Sequence, residues 1–173
     1  MDCMKIHTPD GIADGAWTAE RYAEGRDART LVLFDRLCFG DRAWSAQAWW
    51  EAVLDPLFTV TIFENNQCLI GVTVVRLCPP PADLASLAVH PEWRGRGIGS
   101  RLLDHVVARA RRATGWLCLE VDCDNRLAAR MYQRHGFVVA RRFWEDGRWR
   151  LEMTRRLSPE ASVGFVARGR RCR

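Results

Sequence analysis

The sequence predicts an α/β fold, in which a single mixed, mostly antiparallel sheet is flanked by helices. Short apolar segments of strand length follow one another between residues 57 and 89, separated by turn residues. A strand–helix–strand–helix series follows, and two strand-like segments around the turn Glu145–Gly147 close the pattern. The 173 residues are most simply one domain, which we place at residues 1–157.

Helices are predicted where apolar residues recur three or four positions apart. Ser45 and Asn125 are typical N-cap residues, while Pro56 and Gly136 are typical of the positions beyond a helix. The longest helix starts at Ile98 and carries an apolar stripe through about four turns. The predicted helices cover residues 27–39, 45–55 and 98–113 and a short segment after Asn125.

Strands are predicted where β-branched and aromatic residues are concentrated between turn residues. Segment 116–121 is apolar at every position except Glu120, so we expect a strand that is buried on both faces with one costly buried charge. The predicted strands are 57–64, 68–77, 83–89, 116–121, 137–144 and 148–157.

The two ends of the chain are patterned weakly. Residues 1–25 contain one short predicted strand near residues 4–7, and they would order as a lid or within a homodimer interface. Residues 158–173 form a basic segment that we expect to be a flexible tail.

Composition gives no sign of export or of membrane insertion. The chain is 48% hydrophobic and 27% charged, and it has no apolar run of membrane-spanning length and no signal-peptide pattern at its start. Its seven cysteines form no C-x-x-C pair and no Cys/His cluster. We therefore expect reduced thiols, no metal site and a cytoplasmic location.

The net charge of +5 comes almost entirely from arginine, because Lys5 is the only lysine. Arginine suits phosphate and carboxylate partners, although a GC-rich coding bias explains the composition equally well. Nucleic-acid binding is a less favoured alternative, because acidic residues interrupt the basic hairpin at 141–156.

The stretch HPEWRGRGIGSRLL, residues 90–103, places three glycines in front of the longest helix. A helix N-terminus offers unpaired N–H groups and a partial positive charge, and glycines leave its backbone open to an anion. The spacing differs from that of a P-loop and from that of a dinucleotide-binding turn. A tight turn that needs glycine only for its dihedral angles is the alternative.

Two motifs together resemble the GNAT superfamily of acyl-CoA-dependent N-acetyltransferases. The pattern Arg/Gln-x-x-Gly-x-Gly/Ala is matched by Arg94, Gly97 and Gly99. The pattern Asn-x-x-Ala-x-x-x-Tyr-x-x-x-Gly-Phe is matched by Asn125, Ala128, Tyr132, Gly136 and Phe137. The resemblance covers residues 30–155, and the branch it favours is that of the ribosomal-protein-alanine N-acetyltransferases.

The resemblance implies a GNAT fold with acetyl-CoA as the cofactor. Backbone N–H groups of residues 95–100 would hold the pyrophosphate, with Arg94 and Arg96 adding charge at the mouth. The pantetheine arm would pair with residues 87–89 as an added strand and would contact Asn125. The predicted cofactor-binding residues are Leu87, Ala88, Val89, Arg94, Gly95, Arg96, Gly97, Ile98, Gly99, Ser100, Asn125, Ala128 and Tyr132.

The resemblance also implies catalytic roles. Tyr132 would be the acid that protonates the departing sulfur, and Glu120, in a Leu-Glu-Val context typical of the branch, would be the general base acting through water. A core aromatic role for Tyr132 and an arginine ion pair for Glu120 are the alternatives. His90 is expected to be structural, and Cys118 and Cys123 lack a nearby histidine that would activate a nucleophile.

The predicted acceptor is a primary amine close to an anionic group. In the family, the closing hairpin lines the acceptor site, and here Arg148 and Arg150 bring positive charge to it. Such a lining disfavours polyamines and suits either a protein or peptide α-amine or an amino-acid-like small molecule. A non-catalytic acyl-CoA sensor is the alternative from another class, and the presence of Tyr132 disfavours it.

Overall fold

The structure is a computed structural model that describes residues 17–157; the predicted strand at 4–7 and the tail at 158–173 lie outside the described residues. The described chain contains seven strands and four α-helices. Their bounds, in chain order, are β1 Ala19–Tyr22, α1 Ala28–Phe39, α2 Ala46–Leu54, β2 Phe58–Asn65, β3 Cys68–Arg76, β4 Ala82–Val89, α3 Ile98–Ala113, β5 Trp116–Asp122, α4 Arg126–Arg134, β6 Val138–Glu145 and β7 Arg148–Arg156.

All seven strands form one sheet in the order β1-β2-β3-β4-β5-β7-β6. Neighbouring strands are antiparallel except β4 and β5, which are parallel and are connected through α3. The predicted fold class, one mixed and mostly antiparallel sheet flanked by helices, is confirmed. No helix within residues 17–157 combines the length and apolar character that crossing a membrane requires.

The predicted helix caps are present. Ser45 Oγ accepts a hydrogen bond of 3.1 Å from the Ala48 N–H, and Asn125 Oδ1 accepts one of 3.2 Å from the Ala128 N–H. These bonds satisfy N–H groups that have no partner inside α2 and α4. Gly136, beyond the end of α4, has a positive φ of 79°, the conformation for which glycine is favoured.

Strand β1 lies within the weakly patterned residues 1–25 and is not predicted from the sequence. It is only four residues long and mostly exposed, so it carries no periodic signal of its own. It pairs antiparallel with β2, from Ala19 opposite Glu64 to Tyr22 opposite Thr61. Arg21 fixes it further, since both of its terminal nitrogens donate to Asp27 at 2.8 Å.

The helices cover the sheet unevenly. On one face, α1 and α2 pack against β2, β3 and β4; on the other, α3 and α4 pack against strands from β2 to β7. Strand β5 therefore alternates, with Leu117, Leu119 and Val121 buried and Glu120 exposed. The prediction that this strand is buried on both faces is wrong, because α1 and α2 do not extend over it.

Strands β4 and β5 separate soon after they pair. Their register runs only from Ala82 opposite Leu117 to Leu84 opposite Leu119. A bulge lies at the point of separation, because Val75 pairs with Leu84 but the next residue of β3 pairs with Ser86. Bulges bend a strand and increase its twist. We call the opening between residues 85–89 and 120–122 the strand gap.

We predict that Asp27→Ala destabilises the protein by about 1–3 kcal/mol at pH 7, because it removes a buried carboxylate that accepts several hydrogen bonds. The hydrogen bonds from Arg21 lower the pKa of Asp27 below its ordinary value. A carboxylate with a lowered pKa in the folded state stabilises at neutral pH, and this contribution is lost as the pH falls through the folded pKa. Urea unfolding at pH 7 and below pH 4 measures both effects.

Glu51→Ala is the matched control, since Glu51 accepts only an exposed hydrogen bond from Gln47. It should change stability by less than about 0.5 kcal/mol at either pH. A difference between Asp27→Ala and the wild type that persists unchanged in acid would contradict the proposed role of the ion pair.

Candidate active site

The glycine-rich turn leaves the start of α3 bare. Gly95 and Gly97 both have φ near 77°, a conformation that other residues adopt at a cost. A β-carbon placed on either glycine would meet nothing within 4 Å. The first N–H groups of α3 have no partner inside the helix, and they follow this turn directly in the chain. The turn needs glycine for its dihedral angles, and the space beside Gly95 and Gly97 is open.

Gly99 serves a different purpose from the two glycines before it. A β-carbon on Gly99 would lie 3.2 Å from Met131 Sδ and 3.8 Å from Val89 Cγ2. The third glycine thus allows α3, the end of β4 and the middle of α4 to approach one another. Tyr132, the next residue of α4, lies in the core cluster that contains Leu103 of α3 and Val121 of β5.

The two arginines of the turn differ in what they contact. Arg94 donates from Nε to the Val89 carbonyl at 3.1 Å and from Nη2 to the Cys38 carbonyl at 2.8 Å. It therefore links the end of β4 to α1, a positioning role that the sequence did not indicate. Arg96 is exposed, and its guanidinium lies 5.1 Å from the centre of the Trp93 ring. Within the described residues neither arginine is paired with a carboxylate, so both keep their charge beside the turn.

In the strand gap, backbone groups of β4 no longer pair with β5, although the Val89 carbonyl accepts from Arg94 and, at 3.5 Å, from Cys38 Sγ. His90 donates from its N–H to the Ile70 carbonyl of β3 at 2.9 Å. Backbone groups of successive residues point to opposite sides of a strand, so those of Ala88 also face β3. Those of Leu87 and Val89 face the gap, where β5 no longer pairs with β4. Of the three predicted strand residues, these two have the backbone orientation needed to pair with a ligand.

Tyr132 is buried in the core cluster that contains Val121 of β5 and borders Leu87 of β4. Its residue is 8% exposed, and its ring packs edge-on against Phe137 with the ring centres 5.8 Å apart. Burial raises the pKa of the Tyr132 phenol to about 12, so the hydroxyl keeps its proton at neutral pH. These properties suit a proton donor, and they are equally those of a core aromatic residue.

Glu120 lies on the other face of β5 from Tyr132 and is not buried as the sequence suggested. Its side chain is 38% exposed, and its Oε2 forms an ion pair with Arg150 Nη1 at 3.0 Å. Partial desolvation nevertheless raises the pKa of Glu120, which Arg150 lowers and the carboxylates of Glu145, Asp83 and Glu152 raise further. The ion pair that was the alternative exists, and the carboxylate remains more basic than an ordinary glutamate.

The remaining candidates have structural contacts. The Asn125 side chain caps α4 through the Ala128 N–H, as described above. His90 Nδ1 accepts from the Glu92 N–H at 3.3 Å and caps a short 3-10 turn, in agreement with the structural role expected for it. Burial raises the pKa of the Cys118 thiol, which makes a nucleophilic thiolate less accessible.

A positively charged cleft of about 480 Å³ lies where β5 ends and α4 begins. Sequence reasoning missed Arg126 and Arg142 here, because they lie far apart along the chain and meet only in the fold. It also gave Arg150 a charge role, whereas Arg150 is neutralised by Glu120 and by Glu145 at 2.6 Å. We call this site the arginine cleft; its lining residues are Cys123, Asp124, Arg126, Arg142, Arg148 and Trp149.

The sequence signature described as the Acetyltransferase (GNAT) family matches residues 26–137, which is more than half of the chain. The chain belongs to the GNAT family of acetyltransferases. This membership confirms the predicted family and cofactor class, since GNAT acetyltransferases use acetyl-CoA. The glycine turn of the first motif and the Asn125–Tyr132 segment of the second lie on either side of the contact between α3 and α4.

Two curated relatives illustrate the similarity. The N-alpha-acetyltransferase RimI of Mycobacterium tuberculosis is 30% identical over 113 residues, which are 63% of this chain and 70% of that protein. An uncharacterized protein of Mycobacterium leprae is 31% identical over 113 residues, which are also 63% of this chain. The chain spans only 31% of the length of that M. leprae protein.

A solved GNAT structure has the same fold. The crystal structure of the ribosomal-protein-S18-alanine N-acetyltransferase from Escherichia coli superposes with a TM-score of 0.74 and 20% sequence identity. The superposition covers 86% of this chain and 99% of that one.

We predict that Gly97→Ala weakens coenzyme A binding at least about tenfold, because its β-carbon would enter the space beside the open N–H groups of α3. The matched control is Gly147→Ala, because Gly147 also has a φ of 76° and open surroundings but lies in the turn between β6 and β7. Both variants should lose about 1–2 kcal/mol of stability from the left-handed alanine. Titration calorimetry measures the affinity for coenzyme A, which should fall in Gly97→Ala and stay at the wild-type value in Gly147→Ala.

Equal coenzyme A affinity for Gly97→Ala and the wild type would mean that the turn needs glycine only for its dihedral angles. A parallel loss of affinity in Gly147→Ala would show that the effect of Gly97→Ala is one of general stability.

Proposed function

We propose that this protein is an acetyl-CoA-dependent N-acetyltransferase that acetylates a primary amine by direct attack. The observation that carries the proposal is the strand gap, where residues 85–89 of β4 no longer pair with β5. The glycine turn and α3 follow this strand in the chain, and Tyr132 lies in the core cluster that contains Val121 and borders Leu87. Leu87 and Val89 offer backbone groups to an extended amide-bearing chain. The N–H groups that open α3 suit a pyrophosphate. The residues present thus fit coenzyme A.

Bound acetyl-CoA supplies the acetyl group as a thioester. The Leu87 or Val89 N–H is oriented to donate to a developing oxyanion in the gap, a contribution that is large in acyl transfer. Arg94 holds the Val89 carbonyl and so fixes the orientation of this edge. Asn125 caps α4 and sets the position of Tyr132 about two turns further along.

Two proton transfers complete the proposal. Glu120, with its raised pKa, accepts a proton from the acceptor ammonium group through water, which leaves a neutral amine able to attack. The Tyr132 hydroxyl, which burial keeps protonated, donates to the departing thiolate. Tyr132, which belongs to α4, and Glu120 lie on opposite sides of β5. The acceptor and the cofactor would therefore approach the gap from different faces of the sheet.

The preferred acceptor in this proposal is a protein or peptide N-terminal α-amine. Support comes from the name of the M. tuberculosis relative, an N-alpha-acetyltransferase, and from that of the E. coli structure, which acts on an alanine of ribosomal protein S18. The second candidate is an amino-acid-like small molecule, which the arginine cleft favours because a free carboxylate would suit it.

We predict that Tyr132→Phe lowers kcat about 100-fold or more, since it removes the acid but keeps the ring against Phe137. Acetyl-CoA affinity should stay within threefold of the wild type. Tyr22→Phe is the control, because Tyr22 is the only other tyrosine and is 57% exposed. Unchanged kcat in Tyr132→Phe would assign the residue to the core and remove the acid from the mechanism.

We predict that Glu120→Gln lowers kcat about 100-fold with little change in acetyl-CoA affinity. The wild-type kcat should fall as the pH falls through the raised pKa of Glu120, at a pH above the ordinary range of a glutamate, and Glu120→Gln should lack this limb. Glu51→Gln is the control, because the Glu51 side chain lies on α2 and accepts from Gln47, and it should leave kcat and its pH dependence unchanged.

Steady-state rates with N-terminal peptides across pH 5–9 provide the measurement. Loss of affinity and kcat together in Glu120→Gln, or of neither, would contradict the role of this residue as a base. Failure of any primary amine to be acetylated by protein that binds acetyl-CoA would overturn the proposed activity itself.

A further inference from the structure

We propose that the arginine cleft binds a carboxylate of the acceptor and makes the enzyme prefer amines that carry an acidic group nearby. This inference rests on the proposed function, and it adds the chemistry by which an acceptor is chosen. It assigns specificity to Arg126, Arg142 and Arg148, none of which belongs to either family motif.

The cleft has more positive charge than its own acidic residues neutralise. Three arginines line it against one carboxylate, that of Asp124. Asp124 is already occupied, because Arg42 donates to it at 2.8 Å from outside the cleft. The hydrogen bonds of Arg42 lower the pKa of Asp124. That carboxylate therefore stays ionised and remains directed to Arg42.

The lining arginines have little else to bind within residues 17–157. Neither Arg126 nor Arg142 forms an ion pair there. Arg148 donates to Asp122 Oδ2 at 3.5 Å, and the same oxygen also accepts from Arg42 at 2.9 Å. The Arg148 Nε is buried without an acceptor in the described chain. The Nε atoms of Arg76, Arg111 and Arg150 are buried without an acceptor as well. The charges of Arg126 and Arg142, unpaired within the described residues, are therefore the observation that indicates an anionic partner.

Trp149 holds one of these arginines in a defined orientation. The Arg142 guanidinium lies 4.3 Å from the centre of a ring of Trp149, which itself packs edge-on against Trp144. Stacking on an aromatic face restricts a guanidinium while leaving its N–H edge free to form two parallel bonds to a carboxylate. The cleft is thus prepared for a planar anion, which a lysine-lined surface would not be.

The position of the cleft suits an acceptor site. Asp124 and Arg126 follow the end of β5 that borders the strand gap, and Cys123 donates from its N–H to the Trp149 carbonyl at 2.9 Å. This bond joins the end of β5 to the start of β7. An amine at the gap and a carboxylate in the cleft would thus both lie at the same end of β5. A single short peptide or amino acid carries both groups.

The test is an NMR titration of the protein, with and without coenzyme A, by acetylated product analogues that need no turnover. The probes are N-acetyl-Ala-Glu amide and N-acetyl-Ala-Gln amide, which differ only in one carboxylate, and N-acetylglutamate as the small-molecule source. The glutamate peptide should bind about tenfold tighter than the glutamine peptide, as a charge-assisted hydrogen-bond pair requires. The double variant Arg126→Gln/Arg142→Gln should abolish that preference.

The control is Arg156→Gln, which removes one arginine at the far end of β7, opposite Trp116. It should keep the preference. Equal affinity for the two peptides in the wild type, or loss of the preference in Arg156→Gln, would overturn the proposal. Tighter binding of N-acetylglutamate than of the glutamate peptide would identify a free amino acid as the source of the carboxylate.

The same protein is then assayed for acetylation of Ala-Glu amide. Carboxylate preference without acetylation of any amine would overturn the proposed enzymatic function and leave the cleft assignment standing. Acetylation of Ala-Glu amide and Ala-Gln amide at equal rates, together with equal binding of the two probes, would overturn the cleft assignment. The proposed enzymatic function would then stand.

Discussion

Strands β4 and β5 pair through only three residues each, and the candidate site depends on how they part. Parallel strands normally continue side by side, because each unpaired backbone group costs free energy unless water or a ligand replaces the missing bond. Here a bulge beside Ala85 turns β4 away from β5. The backbone groups of Leu87 and Val89 are left facing the gap, and an extended chain of amides is the ligand that completes such an edge.

Contacts around the gap fix the positions of the elements that border it. Arg94 connects the end of β4 to α1, and Gly99 allows α4 to approach α3 closely enough for Met131 to touch the start of that helix. At the end of β5, Asp122 and the following Asp124 form ion pairs with Arg42, which lies in the segment after α1. These contacts connect β4 and β5, the two strands that border the strand gap, to the helical segments. They therefore fix the positions of the glycine turn and of Tyr132 relative to the gap.

Much of this arrangement could be predicted from the sequence, because helix caps, apolar periodicity and two motifs are local signals. The caps at Ser45 and Asn125 are examples. Strand β1 could not be predicted from the sequence, since its four residues carry no pattern and its position comes from pairing with β2. The exposure of Glu120 depends on where α1 and α2 end over the sheet. The arginine cleft joins residues from three elements, and its charge depends on which acids already bind Arg150.

Amide hydrogen exchange at residues 87–89, measured by NMR with and without coenzyme A, tests the central claim most directly. Ala88 should be protected in both states, because its backbone pairs with β3. Leu87 and Val89 should exchange readily in the free protein and become protected when coenzyme A binds. Coenzyme A binding that leaves Leu87 and Val89 unchanged, or no binding by the folded protein, would contradict the account of the strand gap as the cofactor site.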